Sequence, residues 1–474
     1  VSPRRVAVIG ATGYVGGRLL DRLVAEGFAI SALARTPAKL SSAVVAAEGA
    51  ITVHQADVQD VDSMVAGLEG AEAAFYLVHS LGAGASFVDD DTEGARNFAT
   101  ACERAGVGQI VYLSGLGSED GDLSEHLSSR HATGDALREG PVPVTELRAA
   151  IVVGSGSASF EIVRDLSRKL PVMVAPKWVS SRCEAIGIRD VISYLVGTID
   201  EPRTIGQTLD IGCGEVLTYR RMMEICAEEQ GRKCVVITVP VLTPRLSSYW
   251  LHLVTSVDMK IARPLIEGLK NDVVTQDRRI REWIDIKPAD YRTSVRRALD
   301  RELGRTKRES RWTDAGLPAK VRPSVRAFKD SRRFETDLAP DELFRRISRF
   351  GGTFGYGRTA DILWKIRGLI DRIGGGPGLR RGRPFGETLR TGDVVDFWRV
   401  VDSEAPEHLE LVAEMRVPGE ARLSWSIEPT DRGSVLVQTA TLTNDSLLSG
   451  LYWYSIAPAH NWVFNRMARH LMSA

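Results

Sequence analysis

Short apolar runs and amphipathic stretches alternate from the beginning of the chain. Val6 to Ile9 is a continuous apolar run of strand length, and Arg18 to Glu26 places Leu19, Leu20, Leu23 and Val24 at helical spacing. Phe28 to Ala34, Ile51 to Ala56, Ala73 to His79, Gln109 to Ser114 and Val144 to Ala149 read as five further strands. The segments between them have helical spacing, as at Thr92 to Arg104. This alternation predicts an α/β domain, a doubly wound parallel sheet covered by helices on both faces, with ligands at the carboxyl ends of its strands.

From about Ser331 the pattern changes. Ser331 to Thr336 is strand-like, Pro340 to Ser348 is helical, and Ile373 to Gly386 is too rich in glycine for regular structure. Val394 to Val401, His408 to Val417, Arg422 to Glu428 and Ser434 to Thr443 then alternate with a period of two. Leu409, Leu411, Ala413 and Met415 share one strand face, and Leu423, Trp425 and Ile427 another. The turn Asp431-Arg432-Gly433 predicts a hairpin. A helical pattern follows from about Leu447 to the end, and Pro458 is expected to interrupt it. The chain therefore divides into a first domain over 1–300, a basic linker over 301–330 and an α+β domain over 331–474. Of nine tryptophans, five (Trp364, Trp398, Trp425, Trp453 and Trp462) fall in this last domain, as core or as the wall of a pocket for an apolar ligand.

Composition narrows the function classes. With 61 basic and 61 acidic residues there is no overall bias toward nucleic acid. Arg278 to Arg333 nevertheless holds 18 basic and 8 acidic residues, either a solvated helix end and linker or a cationic surface for anionic lipid. Few aromatics are interleaved there for base stacking, so nucleic acid is not expected as a partner. Leu242 to Leu269 is amphipathic and suits a buried helix face, a lid or a membrane-surface helix. The cysteines, Cys102, Cys183, Cys213, Cys226 and Cys234, contain no CxxC pair, which argues for a reducing compartment and against a disulfide framework or a metal site. No apolar run approaches the ~20 residues that span a bilayer, and the chain enters its first strand at once, leaving no signal peptide. These features predict a cytoplasmic location, with peripheral contact to the inner membrane face through the basic segments as a further expectation.

The candidate chemistry begins at Gly10-x-x-Gly13-x-x-Gly16, after a strand and before a helix. In that context Gly10 permits a tight turn, Gly13 lets the backbone approach a pyrophosphate and Gly16 lets helix and strand pack closely. Thr12, Tyr14 and Val15 belong to the same loop. Arg35 ends the second strand, with Lys39 four residues on, and a cation there accommodates a ribose 2′-phosphate; NADP(H) is expected in preference to NAD(H). Asp57 and Val58 follow the third strand, placed for the adenine. Val78 and His79 end the fourth, and Ala149 and Ile151 the sixth, completing the expected cofactor-binding set. Ser114 ends the fifth, facing the expected nicotinamide.

GATGYVGG at the loop, Asp57-Val58, VYLSG ending at Gly115 and LRAAIVVGSGS from Leu147 together resemble the short-chain dehydrogenase/reductase superfamily in its atypical, NmrA-like branch. AIGIRDV (Ala185 to Val191) and LDIGCGEVLTYRRMMEI (Leu209 to Ile225) are similar to its substrate-side segments. The resemblance covers about the first 290 residues and implies a Rossmann fold, a nicotinamide cofactor and redox chemistry. The C-terminal pattern resembles a helix-grip, START-like fold and the uncharacterised domain that accompanies atypical dehydrogenases in bacteria.

One departure matters. The superfamily's Tyr-x-x-x-Lys pair is missing, since none of the ten tyrosines has a lysine four residues later. Where the pair should fall, His126-x-x-x-Arg130 has the same spacing and would share one helical face. Imidazole is a competent proton donor near neutral pH, whereas a guanidinium anchors ribose or phosphate. Ser114, His126 and Arg130 are therefore the candidate catalytic trio of an NADP(H)-dependent oxidoreductase for a bulky apolar carbonyl or quinone-like compound. The alternative is a non-catalytic NADP(H)-dependent sensor or scaffold that regulates a partner or lipid ligand.

Overall fold

The computed structural model describes residues 3–40, 47, 49–79, 87–117, 125–170, 172–239, 265, 268–269, 271–302, 327–352, 354–373, 376–379, 382–383, 388–443 and 447–473. They fall into two compact units, Val1–Ala315 and Gly316–Ala474. Most of the predicted linker and of the Leu242 to Leu269 stretch lies outside the described residues.

The first unit runs β1 (Arg5–Ile9), α1 (Tyr14–Ala25), β2 (Ala29–Ala34), β3 (Ile51–Gln55), α2 (Val61–Leu68), β4 (Ala73–Tyr76), α3 (Phe87–Ala105), β5 (Gln109–Gly115), α4 (Glu125–Arg138) and β6 (Val144–Ala149). There follow β7 (Val152–Val153), α5 (Ala158–Lys169), β8 (Val172–Pro176), β9 (Arg182–Cys183), β10 (Ile186–Gly187), α6 (Ile188–Asp200) and β11 (Thr208–Ile211). The unit continues with β12 (Leu217–Thr218), α7 (Tyr219–Glu229), β13 (Val235–Val239), α8 (Ile280–Trp283) and α9 (Tyr291–Glu302).

Seven strands form a parallel sheet in the order β11-β6-β5-β4-β1-β2-β3. The order reverses between β1 and β4, which opens a crevice at their carboxyl ends. Strand alternation decides what covers each face. Val6 and Val8 of β1 pack with Leu19 and Leu23 of α1 and Val191 and Leu195 of α6. Ala7 and Ile9 point the other way, to Met64 and Leu68 of α2 and Phe98 and Cys102 of α3. Strand β4 stops at Tyr76, three residues before the predicted end at His79. There the chain passes over Gly10, where an added Cβ would lie 2.7 Å from the Leu77 carbonyl carbon. A smaller subdomain beyond β6 pairs β8 with β13 and buries Phe160, Leu166, Met222 and Met223 between α5 and α7.

The second unit is a six-stranded antiparallel sheet. Its elements are β14 (Ala327–Thr336), α10 (Pro340–Ile347), α11 (Arg358–Ile373), β15 (Val394–Val395), β16 (Trp398–Glu404), β17 (His408–Ala413), β18 (Ala421–Thr430), β19 (Gly433–Thr443) and α12 (Leu447–Ser473). The strand order is β14-β19-β18-β17-β16-β15. Helix α12 lies on the sheet, with Val463, Phe464, Met467 and Leu471 packed in one core with Trp425 and Leu436. A side-chain chain ties the layers together: Trp425 Nε1 donates to Gln438 Oε1 (2.9 Å), and Gln438 Nε2 donates to the Phe464 carbonyl (3.1 Å).

Three readings of the pattern change here. Pro458 does not interrupt α12, which is continuous over 27 residues. The carbonyl deprived of a donor belongs to Tyr454, whose side chain is 70% exposed, and packing against the sheet outweighs the local loss. Val394 to Val401 is two strands rather than one, because Asp396 takes a positive φ of 54° and turns the chain. Its carboxylate accepts from Gly352 N (3.0 Å) and the Tyr356 hydroxyl (2.8 Å), which holds the turn. Helix α11 was not anticipated, since several of its apolar residues stay exposed, Ile362 and Ile370 at 59% each. Trp364, Trp398 and Trp425 belong to the sheet–helix core, Trp453 stacks on Phe328, and Trp462 is exposed.

Candidate cofactor and substrate site

The glycine loop spans the end of β1 and the start of α1. Gly10 has a φ of +83°, a conformation that L side chains rarely adopt, and its carbonyl accepts from Gly13 N at 2.9 Å. A Cβ on Gly16 would collide with the Gly10 carbonyl oxygen. Gly13 caps α1 in an extended conformation without a side-chain hydrogen bond, and the first turn holds no acidic residue. The amides of that turn therefore face the loop without a competing carboxylate, an arrangement that fits a pyrophosphate. Thr12 lies in the turn and Val15 in the first turn of α1.

The other sequence-selected positions lie around the same end of the sheet. Arg35 is exposed, one residue beyond β2. Asp57 and Val58 follow β3; the Asp57 carboxylate accepts from Gln59 N (3.1 Å), and the Val58 carbonyl accepts from Asn97 Nδ2 (3.0 Å). Val78 and His79 follow β4, with His79 Nδ1 3.0 Å from Asp91 Oδ2. Burial pushes the His79 imidazole down to about 4, and the Arg130 charge adds to the effect. Asp91 is a partner that sequence reasoning missed. It sits in the acidic run Asp89-Asp90-Asp91 early in α3, where nothing in the pattern singles it out.

A cavity of about 290 Å³ opens beside the loop, at the ends of β5 and β6. Ser114, Arg130, Ala149 and Ile151 line it together with Tyr14 and Val15. Most of the remaining wall is apolar, including Leu127, Ile162, Leu166 and Met223. Ser114 Oγ is buried and has no hydrogen-bond partner among the described residues; the same holds for Arg130 Nε and Trp178 Nε1. Trp178 lines the cavity, edge-on to Tyr219 with ring centroids 6.1 Å apart, whereas Lys177 is not part of the wall. Tyr219 and Met223 were not singled out as site residues, although both fall in the Leu209 to Ile225 stretch that resembles substrate-side segments. His126 is the second residue of α4, four before Arg130 on the same helix, and its side chain lies outside the described residues.

Arg18 closes the floor of the loop. Its guanidinium lies 4.0 Å from the Tyr14 ring centroid and donates to the carbonyls of Tyr14 (2.8 Å) and Ser155 (2.7 Å). Among the described residues, no cluster of three His, Cys, Asp or Glu side chains could hold a metal ion, and no helix is long and apolar enough to cross a membrane.

The NAD(P)H-binding family model matches residues 10–152, and a protein family of unknown function, DUF2867, matches residues 324–467. Rice (Oryza sativa subsp. japonica) cinnamoyl-CoA reductase 1 is 30% identical over 117 residues, 24% of this chain and 35% of that protein. The 3 beta-hydroxysteroid dehydrogenase/Delta 5-->4-isomerase of Mycobacterium tuberculosis is 31% identical over 120 residues, 23% of this chain and 31% of that protein. This chain thus spans about a third of the length of either relative. The NADP(H) complex of Citrobacter sp. triphenylmethane reductase is similar in fold, with a TM-score of 0.51 at 19% identity, covering 62% of this chain and all of that one. The region 10–152 therefore matches an NAD(P)H-binding domain and has a fold similar to that of the triphenylmethane reductase, and in the same chain the region 324–467 matches the DUF2867 family of unknown function.

Proposed function

We propose that the chain is an NADP(H)-dependent oxidoreductase acting on a bulky apolar carbonyl or quinone-like compound. The observation that carries this reading is the apolar cavity beside the glycine loop, with Ser114 Oγ buried in its wall and without a hydrogen-bond partner among the described residues. An apolar cavity with few polar groups orients a largely apolar ligand by its single polar end. The bound dinucleotide would supply or accept the hydride. Ser114 would hold the substrate oxygen, His126 would exchange a proton with it, and Arg130 would anchor the ribose or the nicotinamide-side phosphate. Gly10, Thr12, Gly13, Tyr14, Val15 and Gly16 would hold the pyrophosphate side. Asp57, Val58, Val78, His79, Ala149 and Ile151 would line the rest of the dinucleotide. Arg35, exposed beyond β2, would receive the 2′-phosphate.

The absence of a Tyr-x-x-x-Lys pair supports the second reading, a sensor or scaffold in which the bound cofactor controls a partner or a lipid ligand. A screen of apolar ketones, enones and quinones for NADPH oxidation separates the two. Turnover of any of them supports the oxidoreductase; tight NADPH binding with no turnover across the screen supports the sensor. A cytoplasmic site of action, with basic segments touching an anionic membrane surface, belongs to the same proposal.

A further inference from the structure

A second cleft lies on another side of α1, where that helix meets α6 and α9, and encloses about 310 Å³. Five arginines line it: Arg18 and Arg22 from α1, Arg189 from α6, and Arg297 and Arg301 from α9. The acidic residues of the wall are Asp21 and Asp190. Asp190 is engaged by the backbone, accepting from Ala289 N at 3.1 Å. The wall thus carries five cationic and two acidic side chains. Arg22 also pairs with Glu26 (2.5 Å), and Arg18 donates to the Tyr14 and Ser155 carbonyls. The net excess around the cleft is therefore two positive charges, and Arg189, Arg297 and Arg301 are the arginines best placed for an anion, with the hydroxyls of Ser155, Ser193 and Ser294 beside them.

We propose that this cleft is a binding site for a small, soluble, multiply charged phosphate compound, separate from the dinucleotide loop. Converging guanidinium groups match phosphoryl oxygens in geometry and charge, and their hydrogen bonds strengthen where both partners are ionised. Burial and the neighbouring Arg189 and Arg18 push Arg301 down, so an anion between them would relieve the crowding of like charges. The enclosure by three helices favours a compact solute over a flat lipid surface. The cleft also adjoins the cofactor site: Arg18 lines it, while Tyr14, under the Arg18 guanidinium, lines the apolar cavity.

Isothermal titration of inorganic pyrophosphate into the full chain already saturated with NADPH tests the site, with NADPH binding followed separately by its fluorescence. Saturable binding is expected, weakened at least about tenfold in the R189E/R297E variant. Both positions are exposed, and a retained melting transition and NADPH affinity would show that the variant is folded. Absence of saturable binding to the wild type would overturn the proposal, as would equal binding by the variant. Loss of pyrophosphate binding on NADPH saturation would assign the anion to the dinucleotide loop. Binding to phosphatidylglycerol vesicles without binding to pyrophosphate would assign the arginines to a membrane surface; either result overturns the site.

Discussion

His79 Nδ1 and Asp91 Oδ2 lie 3.0 Å apart at the carboxyl end of β4, yet the imidazole beside this carboxylate is held neutral. Burial is the largest cause and Arg130 adds to it, while Asp91 opposes both without reversing them. The pair therefore orients a neutral ring near the cofactor crevice rather than forming an ion pair.

The linkage has a definite sign. Unfolded His79 takes up a proton near its ordinary value of 6.5, whereas the folded group does so only near 4. Between these values the unfolded chain binds more protons, so stability falls as the pH falls from about 6.5 to 4 and levels off below. The total is on the order of 3 kcal/mol. Denaturant titrations at pH 7, 5.5 and 4.5 should show a shallower pH dependence for His79→Gln than for wild type. Identical slopes would mean that His79 titrates normally in the fold.

Cofactor choice should turn on Arg35. A charge-assisted contact to the 2′-phosphate is worth about 1.5–3 kcal/mol, roughly one to two decades of affinity. Arg35→Ala should weaken NADPH binding by that factor and leave NADH binding nearly unchanged. Fluorescence titration of both cofactors against both proteins measures this. Equal wild-type affinities would remove the assignment.

Chemistry and cofactor binding should separate within α4. A general acid contributes about 10²- to 10⁴-fold, so His126→Ala should lower kcat by that order with NADPH affinity retained. Arg130→Ala should instead weaken NADPH binding, and Ser114→Ala should reduce kcat/KM. These rates are read on whichever carbonyl or quinone the NADPH-oxidation screen finds. Full turnover by His126→Ala would move the proton source to another group or to water.

The C-terminal unit should be sensitive at Gln438, which is 1% exposed and joins Trp425 to α12. Gln438→Ala leaves the buried indole N–H without its acceptor, at a cost of about 1–3 kcal/mol. Calorimetry of the full chain should show a lowered transition, and tryptophan fluorescence should assign it to this unit. NADPH affinity measured on the same variant should stay unchanged. An unaltered thermogram would show that the Trp425–Gln438 bond contributes nothing to the fold.

Much of the first unit was legible because its signals are local. A four-residue apolar run, three glycines at fixed spacing and an amphipathic stretch each constrain backbone geometry within a few residues, and β6 runs over the predicted Val144–Ala149. Other features depend on groups far apart in the chain. Asp91 meets His79 only once α3 is laid against the sheet, and Tyr219 and Met223 reach the cavity only once α7 packs on α5. The Arg18–Tyr14 stacking was spaced correctly for a helix, but the Ser155 carbonyl that completes it lies 137 positions away.

Hydrophobic periodicity and glycine placement by themselves determined the parallel sheet, the dinucleotide loop and the strand-rich second domain, since each is a backbone preference written over a handful of neighbouring residues. The continuity of α12 through Pro458 was decided by the tertiary structure, where burial against a sheet outweighs one lost hydrogen bond. So was the gathering of arginines from three helices around one cleft, because charges distant in sequence converge only when those helices pack. The neutral state of His79 has the same origin, since it follows from the exclusion of water around the ring and no local pattern of residues encodes that exclusion.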